Sequence, residues 1–151
     1  MLEYHKTTEP EKHLICGWKY DGEYAVYNNL PFEEQIKNHR GFGDPKNNYY
    51  SFCEGTKLIG YIDLIEKETE VFFGIGVAPE YCDRGFGTQI CKTACGISKK
   101  LFPGKPICLE VRTWNKRAVR CYEKSGFCII GEPVSKKTPI GEGVFYSMTA
   151  E

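Results

Sequence analysis

Two stretches of the chain place chemically capable residues at spacings a fold can use. The first runs Val77-Ala78-Pro79-Glu80-Tyr81-Cys82-Asp83-Arg84-Gly85-Phe86-Gly87-Thr88. Its glycines lead the backbone into a helix start, where unpaired amides and the positive end of the helix dipole suit a phosphate group. Arg84 adds a positive charge, and Gly85 and Gly87 leave room for a ligand. A Gly-x-Gly before a helix is also often just a tight connection. The Gly-Lys-Ser/Thr ending of a Walker loop and the three-glycine dinucleotide fingerprint are both missing.

The second stretch is Leu109-Glu110-Val111-Arg112-Thr113-Trp114-Asn115-Lys116-Arg117-Ala118-Val119-Arg120-Cys121-Tyr122-Glu123-Lys124-Ser125-Gly126-Phe127. On a helix, the seven-residue step from Asn115 to Tyr122 puts both on one face, about 10 Å apart along the axis. Such a stripe can follow a long, thin ligand. Equally, Ala118, Val119 and Tyr122 can be the core face of an amphipathic helix. Glu110 falls on the polar side of its strand, where a carboxylate could take a proton from an amine directly or through water. Solvation, or pairing with Arg112, is the plainer role for it.

The elements that must position these residues follow from pattern. Tyr49 to Glu54, Lys57 to Glu66 and Glu70 to Val77 read as three successive strands, the first two joined as an antiparallel hairpin. Gly74 and Gly76 lie inside the third strand, where glycine marks a bulge or the close approach of another backbone or a ligand. A helix is expected from about Gly87 to Leu101. Ile107 to Val111 is then a strand with Ile107, Leu109 and Val111 on one face and Cys108, Glu110 and Arg112 on the other. Asn115 caps a helix that runs to about Ser125 and ends at Gly126. Strands near Cys128 to Val134 and Gly143 to Met148 close the order. Before residue 49 the pattern is weaker: a helix over Glu9 to Trp18, a short strand over Tyr24 to Tyr27, a helix opened by Pro31, and a loop from Gly41 to Asn48. Glu33 and Glu34 read as solvent-facing charges. The whole gives a mixed central sheet covered by helices.

Composition narrows the classes. The chain has 151 residues, the length of one domain. Lys plus Arg and Asp plus Glu balance at 20 each, which argues against nucleic acid as a partner. The longest apolar run, Val71 to Ala78, is far below the roughly 20 residues of a membrane helix. Met1 to His13 is charged throughout, unlike a signal peptide. The eight cysteines avoid metal-knuckle and redox spacing, Cys91 and Cys95 being one helical turn apart. They read as small buried hydrophobes in a reducing compartment, so no metal and a cytoplasmic location are expected.

Taken together, the two stretches resemble the GNAT superfamily of acetyl-CoA-dependent N-acetyltransferases, over about Tyr49 to Met148. Arg84-Gly85-Phe86-Gly87 after a strand resembles the family's pyrophosphate loop. Asn115-x-x-Ala118-x-x-x-Tyr122-Glu123-Lys124-x-Gly126-Phe127 resembles its second cofactor motif. The resemblance implies an α/β fold (α+β in some schemes): a mixed, mostly antiparallel sheet with splayed middle strands, flanked by helices, in one domain over residues 1–151. It implies acetyl-CoA as cosubstrate and an amine acceptor, either a small molecule or a protein N-terminus, and it is compatible with a homodimer. Ile75, Gly76 and Val77 would pair with the pantetheine arm, and amides of Asp83, Arg84, Gly85, Phe86, Gly87 and Thr88 would hold the pyrophosphate. Asn115 would hydrogen-bond the cofactor, and Tyr122 would contact it and protonate the departing thiolate. Glu110 matches the general base of ribosomal-protein N-terminal acetyltransferases, with Glu70 or water as alternatives. The family loop usually begins with Gln or Arg, and here Cys82 stands there, with Asp83 where glycine is common. Asp83 is expected to repel phosphate unless it points away. Cys82 is expected to be non-catalytic. The alternative from another class is a CoA-sensing or interaction module on the same fold.

Overall fold

The structure is a computed structural model that describes residues 2–151. Its strands are β1 (Glu3–Lys6), β2 (Tyr49–Glu54), β3 (Lys57–Glu66), β4 (Val71–Val77), β5 (Ile107–Arg112), β6 (Cys128–Thr138) and β7 (Gly141–Ala150). The α-helices are α1 (Glu9–Cys16), α2 (Phe32–Lys37), α3 (Phe86–Leu101) and α4 (Lys116–Lys124). One seven-stranded sheet, in the order β1-β2-β3-β4-β5-β7-β6, carries them. Every pairing is antiparallel except β4 with β5, so the sheet is mixed and mostly antiparallel, as expected.

The parallel pair is also the weakest. β4 and β5 pair only through Val71↔Ile107 and Phe72↔Cys108. Beyond that point β4 stays with β3 as far as Val77, and β5 stays with β7 as far as Arg112. Each strand therefore keeps its outer neighbour and the two part in the middle. Ala78 N–H donates to Ile59 at 2.8 Å. Strand alternation then turns the N–H and C=O of Ile75 and Val77 toward the gap, where no strand pairs with them. Backbone polar groups at such an edge need partners.

Packing fixes which face does what. Ile62, Leu64, Val71, Phe73, Ile107, Leu109 and Val111 turn to the core, where they meet Ile90, Cys91, Ala94 and Ile97 of α3 and Val119 of α4. Burying an isoleucine this way contributes about 1.5–3 kcal/mol each. The alternation expected of β5 is realised in full. The opposite face carries Tyr61, Asp63, Gly74, Gly76, Cys108 and Glu110, as the pairs Tyr61↔Gly76, Asp63↔Gly74 and Phe72↔Cys108 require. The chain from Trp18 to Tyr27 crosses this face, with the Trp18 ring 6.0 Å from that of Tyr61.

The N-terminal region departs from expectation in three places. β1 has no counterpart in the pattern reading; it is four residues long and its side chains are all exposed, so no alternation marks it. Tyr24 to Tyr27 is not a strand: Gly22–Tyr27 forms a 3₁₀ turn, started by Gly22 at φ +60. Pro31 sits at the N-cap of α2 rather than inside it.

Candidate active site

The gap between β4 and β5 opens into a cleft of about 460 Å³. Ile75, Gly76 and Val77 line one side, and Asp83, Gly85, Gly87 and Thr88 line its upper end. Glu110, Asn115, Ala118 and Tyr122 line the other side. The two sequence stretches therefore meet in one place. Arg84 and Phe86 lie outside this lining. The Arg84 guanidinium stands 5.7 Å from the Tyr81 ring centroid, and Phe86 packs edge-on to the same ring at 6.0 Å.

Gly85 is the N-cap of α3 at φ +81, a backbone setting that favours glycine, and no side chain caps the helix. The first amides of α3 are consequently left to solvent or a ligand. Asp83 occupies φ +63, a left-handed position that Asp tolerates better than most residues. Its charge is answered: Arg117 Nη1 lies 3.2 Å from Asp83 Oδ2. Arg117 also stacks over Tyr24 at 4.2 Å. The cationic lining comes from Arg112, Arg117, Arg120 and Lys124, three of them on α4. The 117-120-124 spacing is one helical stripe and was readable in the sequence.

The glycines of the two stretches have reasons of their own. A Cβ on Gly87 would lie 3.1 Å from Cys121 Sγ, so this glycine serves the approach of α4 to α3. A Cβ on Gly76 would enter the ring of Tyr61, which makes the close approach there that of a side chain.

Tyr122 faces the cleft with its ring edge-on to Phe127 at 6.0 Å. Burial, reinforced by the Cys91 and Cys121 thiols, pushes its phenol well above the usual range, so it keeps its proton. Asn115 is buried, at 7 % exposure. Its Oδ1 accepts from Ala118 N–H at 3.2 Å and its Nδ2 donates to Tyr27 Oη at 3.0 Å. Glu110 is ion-paired with Lys136 of β6. Glu70 is not among the lining residues, and its carboxylate accepts from the Cys108 thiol. The Cys82 thiol donates to the Val77 and Ala78 carbonyls, at 3.7 and 3.6 Å.

Sequence reasoning missed the roof. Tyr20, Tyr24 and Tyr27 line the cleft from the 3₁₀ segment and the chain just before it. Tyr20 Oη donates to the Val77 carbonyl at 2.6 Å. Only the three-to-four residue spacing of these tyrosines could have signalled a common side. Asp63 was also missed: burial pushes its carboxyl up to about 7, against a hydrogen bond from Asn48 N–H.

A mixed sheet parted between its parallel strands, with an uncapped helix at the head of the gap, defines the class of splayed-sheet acetyltransferase folds. Residues 3–127 match the family model described as Acetyltransferase (GNAT) family, and the chain belongs to that family. It is 32% identical over 98 residues to the N-alpha-acetyltransferase RimI of Mycobacterium tuberculosis, a match spanning 61% of this chain and 59% of that protein. The chain thus covers less than two thirds of that relative's length. Among solved structures it resembles spermidine N-acetyltransferase from Vibrio cholerae in complex with CoA and spermine, with a TM-score of 0.73 at 22% identity over 98% of this chain and 94% of that one. It also resembles the ribosomal-protein-alanine N-acetyltransferase from Escherichia coli, with a TM-score of 0.70 at 17% identity over 99% and 93%. At these identities the two structures speak for the fold.

Proposed function

We propose that residues 1–151 form one transferase domain that moves an acetyl group from acetyl-CoA to a primary amine within a ternary complex. The observation that carries this reading is the edge of β4 at Ile75 and Val77, which no strand pairs with and which faces Tyr122 across the cleft. Acetyl-CoA supplies the activated thioester. Ile75 and Val77 offer the strand edge to the pantetheine arm, and the amides from Asp83 to Thr88, flanked by Arg117 and Arg120, hold the diphosphate. Asn115 fixes the start of α4 and presents its remaining amide hydrogen to the arm. The Val77 N–H polarises the thioester carbonyl, a role suited to a fixed backbone dipole. Glu110 accepts the amine proton once the acceptor displaces Lys136. Tyr122 donates a proton to the departing sulfur. Eight free thiols fit a reducing compartment, consistent with the cytoplasm. No helix among the described residues is long and apolar enough to cross a membrane.

The test is a mass-resolved acetylation screen of small amines and peptide N-termini, run with Tyr122→Phe alongside. The wild type acetylates at least one acceptor. The Phe variant binds acetyl-CoA normally but turns over about 10²–10⁴-fold more slowly, the usual range for acid catalysis. A folded wild type that binds acetyl-CoA and acetylates nothing in the panel would favour a sensing module. Full activity in the variant would return Tyr122 to core packing.

A further inference from the structure

A second group of reactive side chains lies away from the cleft. His5 of β1, Glu11 of α1 and Cys53 of β2 bring one potential ligand atom each to within 4.8 Å of one another. None of them lines the cleft. His5 Nε2 is 2.8 Å from Glu11 Oε2, and Cys53 Sγ is 3.9 Å from the same oxygen.

The arrangement follows from the fold. In the β1–β2 register Glu3 faces Cys53 and His5 faces Ser51, so His5 and Cys53 are diagonal neighbours on one side of the ribbon. Glu11 is the third residue of α1, held by a capping box: Thr8 N–H donates to Glu11 Oε1 at 2.9 Å. That bond fixes the carboxylate, whose Oε1 lies 3.0 Å and Oε2 2.8 Å from His5 Nε2, with Oε2 also facing the thiol. Three separate elements therefore aim an imidazole nitrogen, a carboxylate oxygen and a sulfur at one point. Glu3, opposite Cys53, adds negative charge nearby. His5 is 46% exposed at its side chain, so an ion in solution has a path in.

We propose that His5, Glu11 and Cys53 form a binding site for a borderline-soft divalent cation, Zn²⁺ being the best match. Mixed nitrogen, oxygen and sulfur donors suit zinc, whereas magnesium and calcium take oxygen donors. Zinc bonds of about 2.0–2.3 Å in tetrahedral geometry separate ligand atoms by about 3.3–3.7 Å. The observed 2.8 and 3.9 Å bracket that range, and the imidazole nitrogen and the sulfur lie within 4.8 Å of each other, so small side-chain shifts bring the three donors to bonding distance. On binding, the Cys53 thiol gives its proton to solvent, His5 coordinates through Nε2, and a water fills the fourth position. The ion would tie the short edge strand β1 to the start of α1 and to β2. It would thereby anchor the chain that goes on to Tyr20, Tyr24 and Tyr27. Spacing in the sequence hid the site because its ligands lie 6 and 42 residues apart, on three elements.

The test is a Co²⁺ titration of the reduced, chelator-treated protein, followed by absorption. Wild type is expected to bind one Co²⁺ per chain, with the intense visible bands of a four-coordinate ion and a near-ultraviolet thiolate-to-cobalt band. Zn²⁺ should bleach both at one equivalent and raise the melting temperature. Cys53→Ser should lose the thiolate band and the zinc-dependent rise. His5→Gln and Glu11→Gln should weaken binding at least ~10-fold, the smallest loss seen when even supporting residues of such sites are changed. Glu11→Gln keeps the capping residue type, so its fold is a control. Absence of a thiolate band in wild type, or an undiminished band in Cys53→Ser, would overturn the proposal.

Discussion

The cleft divides into a core-built side, which includes both walls and the upper end, and a roof side of tyrosines, and the two are made by different means. The side formed by β4, the Asp83–Thr88 loop and α4 consists of regular elements locked into the core by Phe73, Ile90, Val119 and Phe127. The side formed by Tyr20, Tyr24 and Tyr27 is the 3₁₀ turn and the chain just before it; none of the turn's own residues is buried, and it is held by hydrogen bonds of Tyr20 to Val77 and Asn115 to Tyr27 and by ring contacts to Trp114 and Arg117. A side built on a core is rigid and can keep one geometry for one ligand, here the coenzyme proposed above. A side laid over the sheet can be rebuilt without unfolding the domain, as befits an acceptor surface. Changes on the first side should act on acetyl-CoA affinity or on the chemical step, and changes on the second on the acceptor.

Glu110 gives the largest test of that division among the remaining variants. It projects from β5 toward the acceptor side while its backbone belongs to the core strand. An alkyl amine, with a reference pKa near 10 for Lys, must lose a proton before it attacks. Glu110→Gln keeps the shape and removes the basicity, so turnover should fall on the order of 10²-fold, most strongly at low pH. Acetyl-CoA affinity should hold. An unchanged pH–rate profile would pass the role to water, because Glu70 is engaged by Cys108 and is absent from the cleft lining.

That division also explains what the sequence made legible. α4 was readable because Asn115 caps it, Gly126 at φ +103 ends it, and its apolar residues recur with helical period. β3 from Tyr61 onward, the first half of β4 and all of β5 alternate between core and open face, so their residues carried their own orientation. The 3₁₀ turn has no buried residue and repeats nothing, and its two tyrosines, with Tyr20 just before it, acquire meaning only from Val77, Asn115 and Arg117, which lie far along the chain. Glycine misled in a narrower way. Gly87 was read as room for a ligand and Gly76 as a bulge or the close approach of a backbone or ligand, but Cys121 and Tyr61 need that room, and a side chain arriving from another element leaves no local trace.

Arg117 sits where the two sides meet, paired with Asp83 and stacked on Tyr24. The ion pair is exposed and contributes little to stability by itself. Its expected effect is on the ligand: Arg117→Ala removes one cation and leaves the Asp83 carboxylate free to oppose phosphate. Acetyl-CoA affinity measured by calorimetry should fall about 10-fold, which corresponds to roughly 1.4 kcal/mol. Adding Asp83→Asn should restore much of it, and added salt should narrow the gap. If the acceptor's KM moved instead, the stacking on Tyr24 would be the operative contact.

The smallest effect is expected at Tyr20, and it separates the two sides most cleanly. Its hydroxyl donates to the Val77 carbonyl, at 2.6 Å, across 57 residues of sequence. Val77 N–H and C=O point to the same side of β4, so this bond leaves the N–H available while satisfying the oxygen. Tyr20→Phe keeps the ring and removes the donor. Water can enter the open cleft to serve the carbonyl, so the loss should be that of an ordinary hydrogen bond, about 0.5–1.5 kcal/mol. A drop of a few degrees in melting temperature should follow. With this segment loosened over β4, the acceptor's KM should rise a few-fold, while acetyl-CoA affinity and the contact proposed between Val77 N–H and the thioester stay as they were. A fall in acetyl-CoA affinity without a change in acceptor KM would place Tyr20 with the coenzyme side, and the division between a rigid wall and an adaptable one would then fall between Tyr20 and the 3₁₀ turn.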